Sequence, residues 1–162
     1  MKRLKICLAA SSGGHFEQLL MLKPLLKEYD GFFLTERTTY KAQVKGAKMK
    51  YVLQVNREEK LCWFKLLVNA FLSLGIYIFE RPNVIVCTGV LAMIPMCMLV
   101  KLFGGKVIYI ESFAKITSPT KTGKLIYKFA DKFYVQWESM KVFYPKAGAK
   151  RSCLKRVGTA LH

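Results

Sequence analysis

A glycine-rich segment near the amino terminus is the first candidate for chemistry. A short apolar run there ends in Ser12, Gly13, Gly14 and His15. Glycines between a strand and a helix let backbone N–H groups approach an anion, which the positive end of the helix dipole also attracts. We therefore predict a phosphate or diphosphate site at this turn, with His15 as a phosphate ligand or a general base. The alternative is a plain strand-to-helix turn with His15 near the N-cap.

A carboxylate lies at the end of a later apolar run. Glu111 and Ser112 follow the run Lys106–Ile110. Because acidic residues are scarce, 10 against 27 Lys and Arg, Glu111 is a candidate to orient an acceptor hydroxyl or to act as its base. The alternative is structural: the carboxylate caps the loop or neutralises Lys115.

A threonine–glycine pair ends a third apolar run. Thr88 and Gly89 follow Asn83–Cys87, and they either contact a ligand or only turn the chain. These residue types offer a hydroxyl and an accessible backbone, which suit the same anionic ligand as the first segment.

Two other kinds of site fit the sequence poorly. A dinucleotide fingerprint needs a further glycine beyond Gly14, where the chain has Phe16, although Glu36 lies at a distance suited to a ribose. No cluster of Asp or His has metal-ligand spacing, so we predict no metal and no cofactor held by this chain.

The candidate residues are connected by alternating strands and helices. This alternation predicts an α/β fold with a Rossmann-like parallel sheet and helices on both faces. Ligands in such folds bind outside the carboxyl ends of the strands, which selects the loops Ser11–His15, Thr88–Val90 and Glu111–Ser118. The predicted strands are Leu4–Ala10, Gly31–Thr35, Met49–Val55, Asn83–Cys87, Lys106–Ile110 and Lys132–Gln136. The predicted helices are Phe16–Leu26, with a kink or last turn at Pro24, Leu61–Phe79, Leu91–Phe103, Thr122–Ala130 and Glu138–Phe143.

One helix is unusually apolar. Leu61–Phe79 contains three clearly polar residues, Lys65, Asn69 and Ser73, each four apart. Its length approaches that of a bilayer core, but spanning would put the first three strands and the last three on opposite sides of the membrane. We expect it to lie in the membrane interface or pack partly on the sheet; the alternative is a wholly buried core helix. The side chains expected to face lipid or a partner are Trp63, Phe64, Phe71 and Tyr77.

Composition agrees with a single domain at a membrane surface. The chain has 162 residues, 52% of them hydrophobic, and a formal net charge of +17, which attracts phosphates or anionic headgroups. The aromatic residues lie in apolar runs rather than among arginines, which disfavours nucleic acid. Five cysteines without a CxxC pair indicate buried thiols in a reducing cytosol. The first apolar run is too short for a signal peptide, so we expect a cytoplasmic start.

Four longer segments carry a family resemblance: SSGGHFEQLL, NVIVCTG, KLFGGKVIYIESFAKITSPTKTGKLIY and FADKFYVQWESMKVFYPKA. Over Lys5 to about Ala147 the chain resembles bacterial polysaccharide-biosynthesis proteins related to the membrane-anchoring subunit of the eukaryotic two-component UDP-N-acetylglucosamine transferase. That resemblance implies one half of a divided GT-B glycosyltransferase, the N-terminal, acceptor-side half. By the same resemblance, a catalytic partner subunit supplies the UDP-sugar half.

The resemblance also implies a function. In capsule and exopolysaccharide synthesis such chains assist a subunit that transfers galactose or N-acetylglucosamine to a sugar on a polyprenyl diphosphate, at the cytoplasmic face of the membrane. It assigns Gly13, Gly14 and His15 to one family loop, Thr88 and Gly89 to a second, and Glu111 and Ser112 to a third. With no separate amino-terminal membrane helix expected, anchoring falls to the internal apolar helices or to the partner.

We expect one domain over residues 1–147. Residues 148–162 form a basic tail that departs from the family and shows no clear hydrophobic pattern. Three other functions stay open from the sequence. One is a membrane scaffold without a ligand site, the second is a transferase that is complete alone, and the third, which the glycine spacing disfavours, is a dinucleotide-binding enzyme.

Overall fold

Seven parallel strands form one sheet in the order β3-β2-β1-β4-β5-β6-β7. The computed structural model describes residues 4–39, 43–89 and 91–149. All six predicted strands are confirmed to within a few residues, and so is the Rossmann-like α/β class. The strands are β1 Lys5–Ala10, β2 Asp30–Arg37, β3 Met49–Leu53, β4 Val84–Thr88, β5 Lys106–Ile110, β6 Lys132–Val135 and β7 Gly148–Ala149.

Both faces of the sheet are buried. Along β1, Cys7 and Ala9 join one apolar cluster while Ile6 and Leu8 join the other. Since alternate side chains of a strand point to opposite faces, this burial explains why the strands are continuously apolar rather than alternating. Among the described residues the free thiols Cys7, Cys62, Cys87 and Cys97 are buried.

The helices are divided between the two faces. Side chains of α1 pack in the cluster that contains Ile6, and those of α3, α4 and α5 pack on the opposite face. The α-helices are α1 Gly14–Leu20, α2 Leu25–Glu28, α3 Cys62–Glu80, α4 Ile94–Leu102 and α5 Lys121–Ile126, with 3-10 turns at Leu91–Met93 and Glu138–Val142.

The first predicted helix is interrupted. Instead of one helix over Phe16–Leu26, α1 ends at Leu20 and α2 begins at Leu25. Pro24 has no N–H to donate to the preceding turn, so the connection consists of tighter turns in which Leu22 N–H bonds the Leu19 carbonyl at 2.9 Å.

The strand order reverses direction between β1 and β4. The chain moves from β1 to β2 on one side and from β4 to β5 on the other. Ala10 pairs with Thr88 at the carboxyl ends of these two strands, so the loops that follow them lie side by side. This is the topological switch point where α/β folds bind ligands.

Helix α3 buries polar side chains and exposes many of its apolar ones. Asn69 and Ser73 are fully buried and Glu80 is 4% exposed, while only 17% of an 18-residue apolar window in the helix is buried. The wholly buried core helix is therefore wrong. By length and composition α3 could cross a membrane, yet it connects two strands of one sheet and packs against β3 and α4. Its exposed apolar side chains are Trp63, Phe64, Leu67, Phe71, Leu72, Leu74, Ile78 and Phe79.

The sheet continues past the expected domain boundary at 147. Gly148 and Ala149 form β7 and pair with Tyr134 and Val135 of β6. Gly148 permits this approach because a Cβ there would meet the Tyr134 ring at 3.0 Å. The remainder of the predicted tail, 150–162, lies outside the described residues.

Candidate functional site

A cleft of about 310 Å³ lies over the carboxyl edge of the sheet. Its walls come from the loops that follow β1, β3 and β4, from Glu36 near the end of β2 and from the start of α5. Its polar lining consists of Ser11, His15, Glu36, Asn56, Arg57, Thr120 and Thr122.

His15 is held in this cleft by the neighbouring loop. The Thr88 hydroxyl donates a 3.2 Å hydrogen bond to the His15 carbonyl, and the imidazole lies so close to Gly89 that a Cβ there would meet it at 2.7 Å. Gly89 has φ of 65°, a conformation that glycine adopts without strain. Burial lowers the pKa of His15 from its usual 6.5, partly opposed by the nearby Glu111 charge. The ring is thus neutral at neutral pH and can accept a proton.

The glycine turn lies beside His15. Gly13 has φ of 82° and its carbonyl accepts the N–H groups of Phe16 and Glu17 at 2.9 and 3.1 Å. Gly13 and Gly14 are exposed, whereas Ser12 is half-buried. The Ser12 N–H donates to the Glu36 carboxylate, so this donor is already engaged within the protein.

Glu36, near the end of β2, connects the loops that follow β1 and β3. It is 5% exposed, and its Oε1 accepts the Val55 N–H at 3.2 Å as well as the Ser12 N–H. Burial raises the pKa of Glu36, and the two backbone donors oppose that rise. The Glu36 carboxylate, whose sequence position suited contact with a ribose, thus accepts hydrogen bonds from the protein's own backbone.

Glu111 is fully buried and does not line the cleft. Its carboxylate accepts the Ser112 N–H at 2.9 Å, the Thr120 hydroxyl at 3.0 Å and the Tyr144 hydroxyl at 2.8 Å. Burial and this hydrogen bond raise the pKa of Tyr144. The geometry favours the structural alternative over a catalytic base, because a carboxylate with no exposed surface cannot reach a substrate proton.

The Glu111 cluster fixes the start of α5. Thr120 donates to Glu111 and accepts the Gly123 N–H at 2.8 Å, which caps α5. This arrangement places Thr120 and Thr122 at the cleft. Thr88 is fully buried and Ser112 is 7% exposed, and neither lines the cleft, although the sequence proposed both as ligand contacts.

Arg57 is the one charged residue among the cleft residues that sequence reasoning missed, the other polar ones being Asn56, Thr120 and Thr122. Its Nη2 donates a 2.8 Å hydrogen bond to the Thr122 hydroxyl, 65 residues further along the chain. Arg57 is exposed and adds a permanent positive charge beside His15. The available signal was a lone arginine in the polar segment after β3, at the sheet edge where ligands bind.

The aromatic side chains predicted to face outward lie shortly after Arg57, along α3. Trp63, Phe64 and Phe71 are 81%, 63% and 67% exposed. Tyr77 is half-buried and stacks on Phe103 of the α4 end at 4.9 Å between ring centroids. Tyr77 therefore packs within the protein more than its neighbours do.

Several known proteins are similar to this chain in sequence. Residues 6–153 match the family described as Oligosaccharide biosynthesis protein Alg14 like. The human UDP-N-acetylglucosamine transferase subunit ALG14 is 28% identical over 102 residues, which cover 57% of this chain and 47% of the human protein. The Schizosaccharomyces pombe subunit alg14 is 36% identical over 74 residues, covering 43% and 35%. The chain thus matches about half or less of the length of these curated relatives.

Solved structures share the fold alone. MurG from Acinetobacter baumannii has a TM-score of 0.66 and 15% identity, with 82% of this chain and 41% of MurG covered. UDP-N-acetylglucosamine 2-epimerase from Rickettsia bellii has a TM-score of 0.65 and 12% identity, with 87% and 41% covered. These matches confirm the predicted likeness to part of a GT-B protein. By its sequence match over 6–153, the chain belongs to the Alg14-like family of oligosaccharide biosynthesis proteins.

Proposed function

We propose that this chain is the acceptor-side subunit of a two-chain glycosyltransferase at the cytoplasmic face of a membrane. It holds a sugar linked to a polyprenyl diphosphate, and a catalytic partner brings the UDP-sugar. Membership in the Alg14-like family supports this role, since the curated relatives are named as transferase subunits. This chain matches less than half of the MurG chain, which agrees with a divided active site.

The observation that carries the proposal is that a cleft residue, Arg57, lies only a few positions before the exposed apolar helix α3 in the chain. Arg57 lines the cleft, and Trp63 and Phe64 begin the exposed face of α3 shortly after it. A lipid-linked substrate needs this combination: its chain stays in the membrane while its diphosphate reaches a polar site at the interface. The apolar face then lies at the headgroup and acyl boundary, and surrounding lysines contact anionic lipid.

The cleft residues take distinct roles in this proposal. Arg57 pairs with the acceptor diphosphate, whereas Gly13 and Gly14, which precede His15, are exposed but do not line the cleft. Neutral His15 accepts the proton of the acceptor hydroxyl as its oxygen bonds the anomeric carbon of the donor sugar, while the bond from that carbon to the diphosphate breaks and UDP leaves. Rate enhancement comes mainly from holding acceptor and donor in line.

The supporting residues act through others. Thr88 and Gly89 fix the backbone and ring of His15, and Glu111 with Ser112 fixes the loop that carries Thr120. In this proposal they are positioning residues, which is why they are buried.

The identity of the sugar and pathway is a finer proposal. The names of the curated relatives support UDP-N-acetylglucosamine as the partner's donor, with UDP-galactose as the second candidate. We assign the reaction to assembly of a capsular or exopolysaccharide repeat unit on its lipid carrier.

The test uses membranes that contain the full chain and the transferase subunit encoded beside it, with polyprenyl-diphosphate glucose and labelled UDP-sugars. We expect Arg57→Ala to raise the acceptor KM about tenfold or more with the donor KM unchanged. Arg57→Lys retains part of the affinity, and Lys124→Ala, which removes an exposed charge from α5, has no effect. If Arg57→Ala and His15→Ala both transfer at the wild-type rate, the chain is a scaffold without an acceptor site. Efficient turnover by the purified chain alone identifies a complete transferase and contradicts the proposal.

A further inference from the structure

A second exposed apolar surface lies at the carboxyl edge of the sheet, away from α3. Phe113 and Ile116 follow β5 and are 59% and 48% exposed, and Val142 and Phe143 follow β6 and are 81% and 42% exposed. We call these four residues the rim surface. Large apolar side chains grouped on exposed loops commonly mark a contact with another molecule.

The rim surface is held rigid by hydrogen bonds between its two segments. Trp137 Nε1 donates to the Phe113 carbonyl at 2.8 Å, and the two rings lie 5.0 Å apart between centroids. The Ser139 hydroxyl donates to the Ile116 carbonyl at 2.5 Å. A surface fixed in advance loses little conformational entropy when it binds.

The frame behind the rim surface also supports the cleft. Tyr144, next to Phe143, bonds Glu111, two residues before Phe113, at 2.8 Å in the core. Beyond Ile116 the same loop continues to Thr120 and Thr122, which line the cleft. A molecule seated on the rim surface therefore contacts the segment that leads to the cleft residues Thr120 and Thr122.

We propose that the rim surface docks the donor-side subunit of the transferase, an inference that rests on the proposed function. The crevice at the carboxyl edge is the place where a second half must close to enclose a ligand, and this chain corresponds to only 41% of the MurG chain. A small aromatic cluster with a polar rim is typical of the energetic centre of a protein interface.

Lipid is a poor occupant for this surface. Phe113 and Ile116 lie on a non-helical loop, and irregular backbone is not tolerated in the hydrocarbon region. The ion pair of Lys141 and Glu138, 2.8 Å long, lies on the same 3-10 turn as Val142. A second copy of the chain would bring another acceptor cleft rather than a donor site. The partner's matching face is therefore expected to be an apolar patch with carboxylates around it, which complement this basic chain.

The experiment compares one exposed apolar residue on each surface, Val142→Asp on the rim surface and Phe71→Asp on α3. Binding of the detergent-solubilised full chain to the immobilised UDP-sugar-binding subunit encoded beside it gives the partner affinity. Flotation with vesicles of phosphatidylglycerol and phosphatidylethanolamine gives the membrane affinity. We expect Val142→Asp to weaken partner binding about tenfold or more and to leave flotation unchanged, with the reverse for Phe71→Asp. Phe113→Ser is the second rim variant, and circular dichroism melting checks that each variant is folded.

The outcomes separate this inference from the proposed function. If Val142→Asp and Phe113→Ser both bind the partner with wild-type affinity, the rim surface is not the docking site. The proposed function still holds in that case if the complex transfers sugar. A wild-type chain that binds the subunit through Val142 but supports no transfer contradicts the proposed function and retains the interface. No binding to the subunit, a dimer of the chain that Val142→Asp dissociates, or loss of flotation in Val142→Asp each overturns the inference.

Discussion

The Asn69 side chain pairs with both backbone groups of Leu53. Its Oδ1 accepts the Leu53 N–H and its Nδ2 donates to the Leu53 carbonyl, each at 2.8 Å. Leu53 ends β3, one of the two edge strands of the described sheet, so the amide supplies the partner that a further strand would otherwise provide. This pairing turns the polar stripe of α3 inward and leaves its apolar residues outward.

Replacing Asn69 by leucine is therefore expected to destabilise the fold although it makes the helix more apolar. Asn69→Leu leaves two backbone groups of Leu53 without partners, which costs roughly 2–3 kcal/mol. Ser73→Ala is the matched control on the same buried face, because the Ser73 hydroxyl has no hydrogen-bond partner among the described residues. Urea unfolding of the detergent-solubilised chain measures both. Equal stabilities of Asn69→Leu and Ser73→Ala would show that the pairing contributes little.

The inward polar stripe also shows the limit of sequence reasoning. Spacing placed Asn69 and Ser73 on one narrow face of α3, and the fold confirms that they share a face. Periodicity does not say whether such a face meets water or protein. Only the hydrogen bond to an edge strand, made between distant parts of the chain, decides that question.

Gly89 is expected to be less tolerant of substitution than Gly104. Both have positive φ, 65° and 80°, so alanine strains each by about 1 kcal/mol. A Cβ at Gly89 also meets the His15 ring at 2.7 Å, whereas at Gly104 nothing lies within 4 Å. Gly89→Ala should therefore lower the free energy of unfolding by at least about 1 kcal/mol more than Gly104→Ala, as measured by urea unfolding. Similar losses in the two variants would mean that His15 moves away freely.

The end of α3 is expected to make stability sensitive to acid. Burial alone would raise the pKa of Glu80, but hydrogen bonds from Lys48, Lys5 and Lys50 lower it from 4.5 to about 2. The folded state then binds the proton more weakly than the unfolded state, so this contribution is complete above pH 4.5 and is lost as the pH falls toward 2. Glu80→Gln should lower the free energy of unfolding by roughly 2 kcal/mol at pH 7. This figure is smaller than the full pKa shift would give, because the lysines are partly exposed and solvent screens their charges.

The measurement is urea unfolding of the wild type, Glu80→Gln and the exposed control Glu28→Gln between pH 3 and 7, values chosen to bracket the titration. The stability difference between the wild type and Glu80→Gln should shrink as the pH falls, while Glu28→Gln follows the wild type. A difference that stays constant with pH assigns the effect to packing instead.

The candidate site was predicted in part for a definite physical reason. The rule that ligands bind at the carboxyl ends of parallel strands located the loops of His15, Gly89 and Glu111. It does not give side-chain direction, and Glu111 points into the core, toward Tyr144. Arg57 follows β3 at the same edge, but its position in the cleft depends on a hydrogen bond to Thr122, 65 residues away, which no local pattern predicts.

His15 is expected to make folding less favourable as the pH falls through its usual pKa. Burial lowers the pKa of His15 below 6.5, with the Glu111 charge opposing this shift. The unfolded state therefore binds the proton more tightly, so protonation favours unfolding, and the loss begins as the pH falls through 6.5. His15→Gln keeps a polar side chain that does not titrate. Its stability relative to the wild type should improve between pH 7.5 and 5.5, a window around the unperturbed histidine value. Urea unfolding at several pH values checks this stability difference. The lowered pKa of His15 also predicts the pH dependence of transfer: if neutral His15 is the base, transferase activity should stay constant above about pH 7. A stability difference independent of pH would mean that His15 titrates alike in both states, and an activity that keeps rising above neutral pH would assign the base to another group.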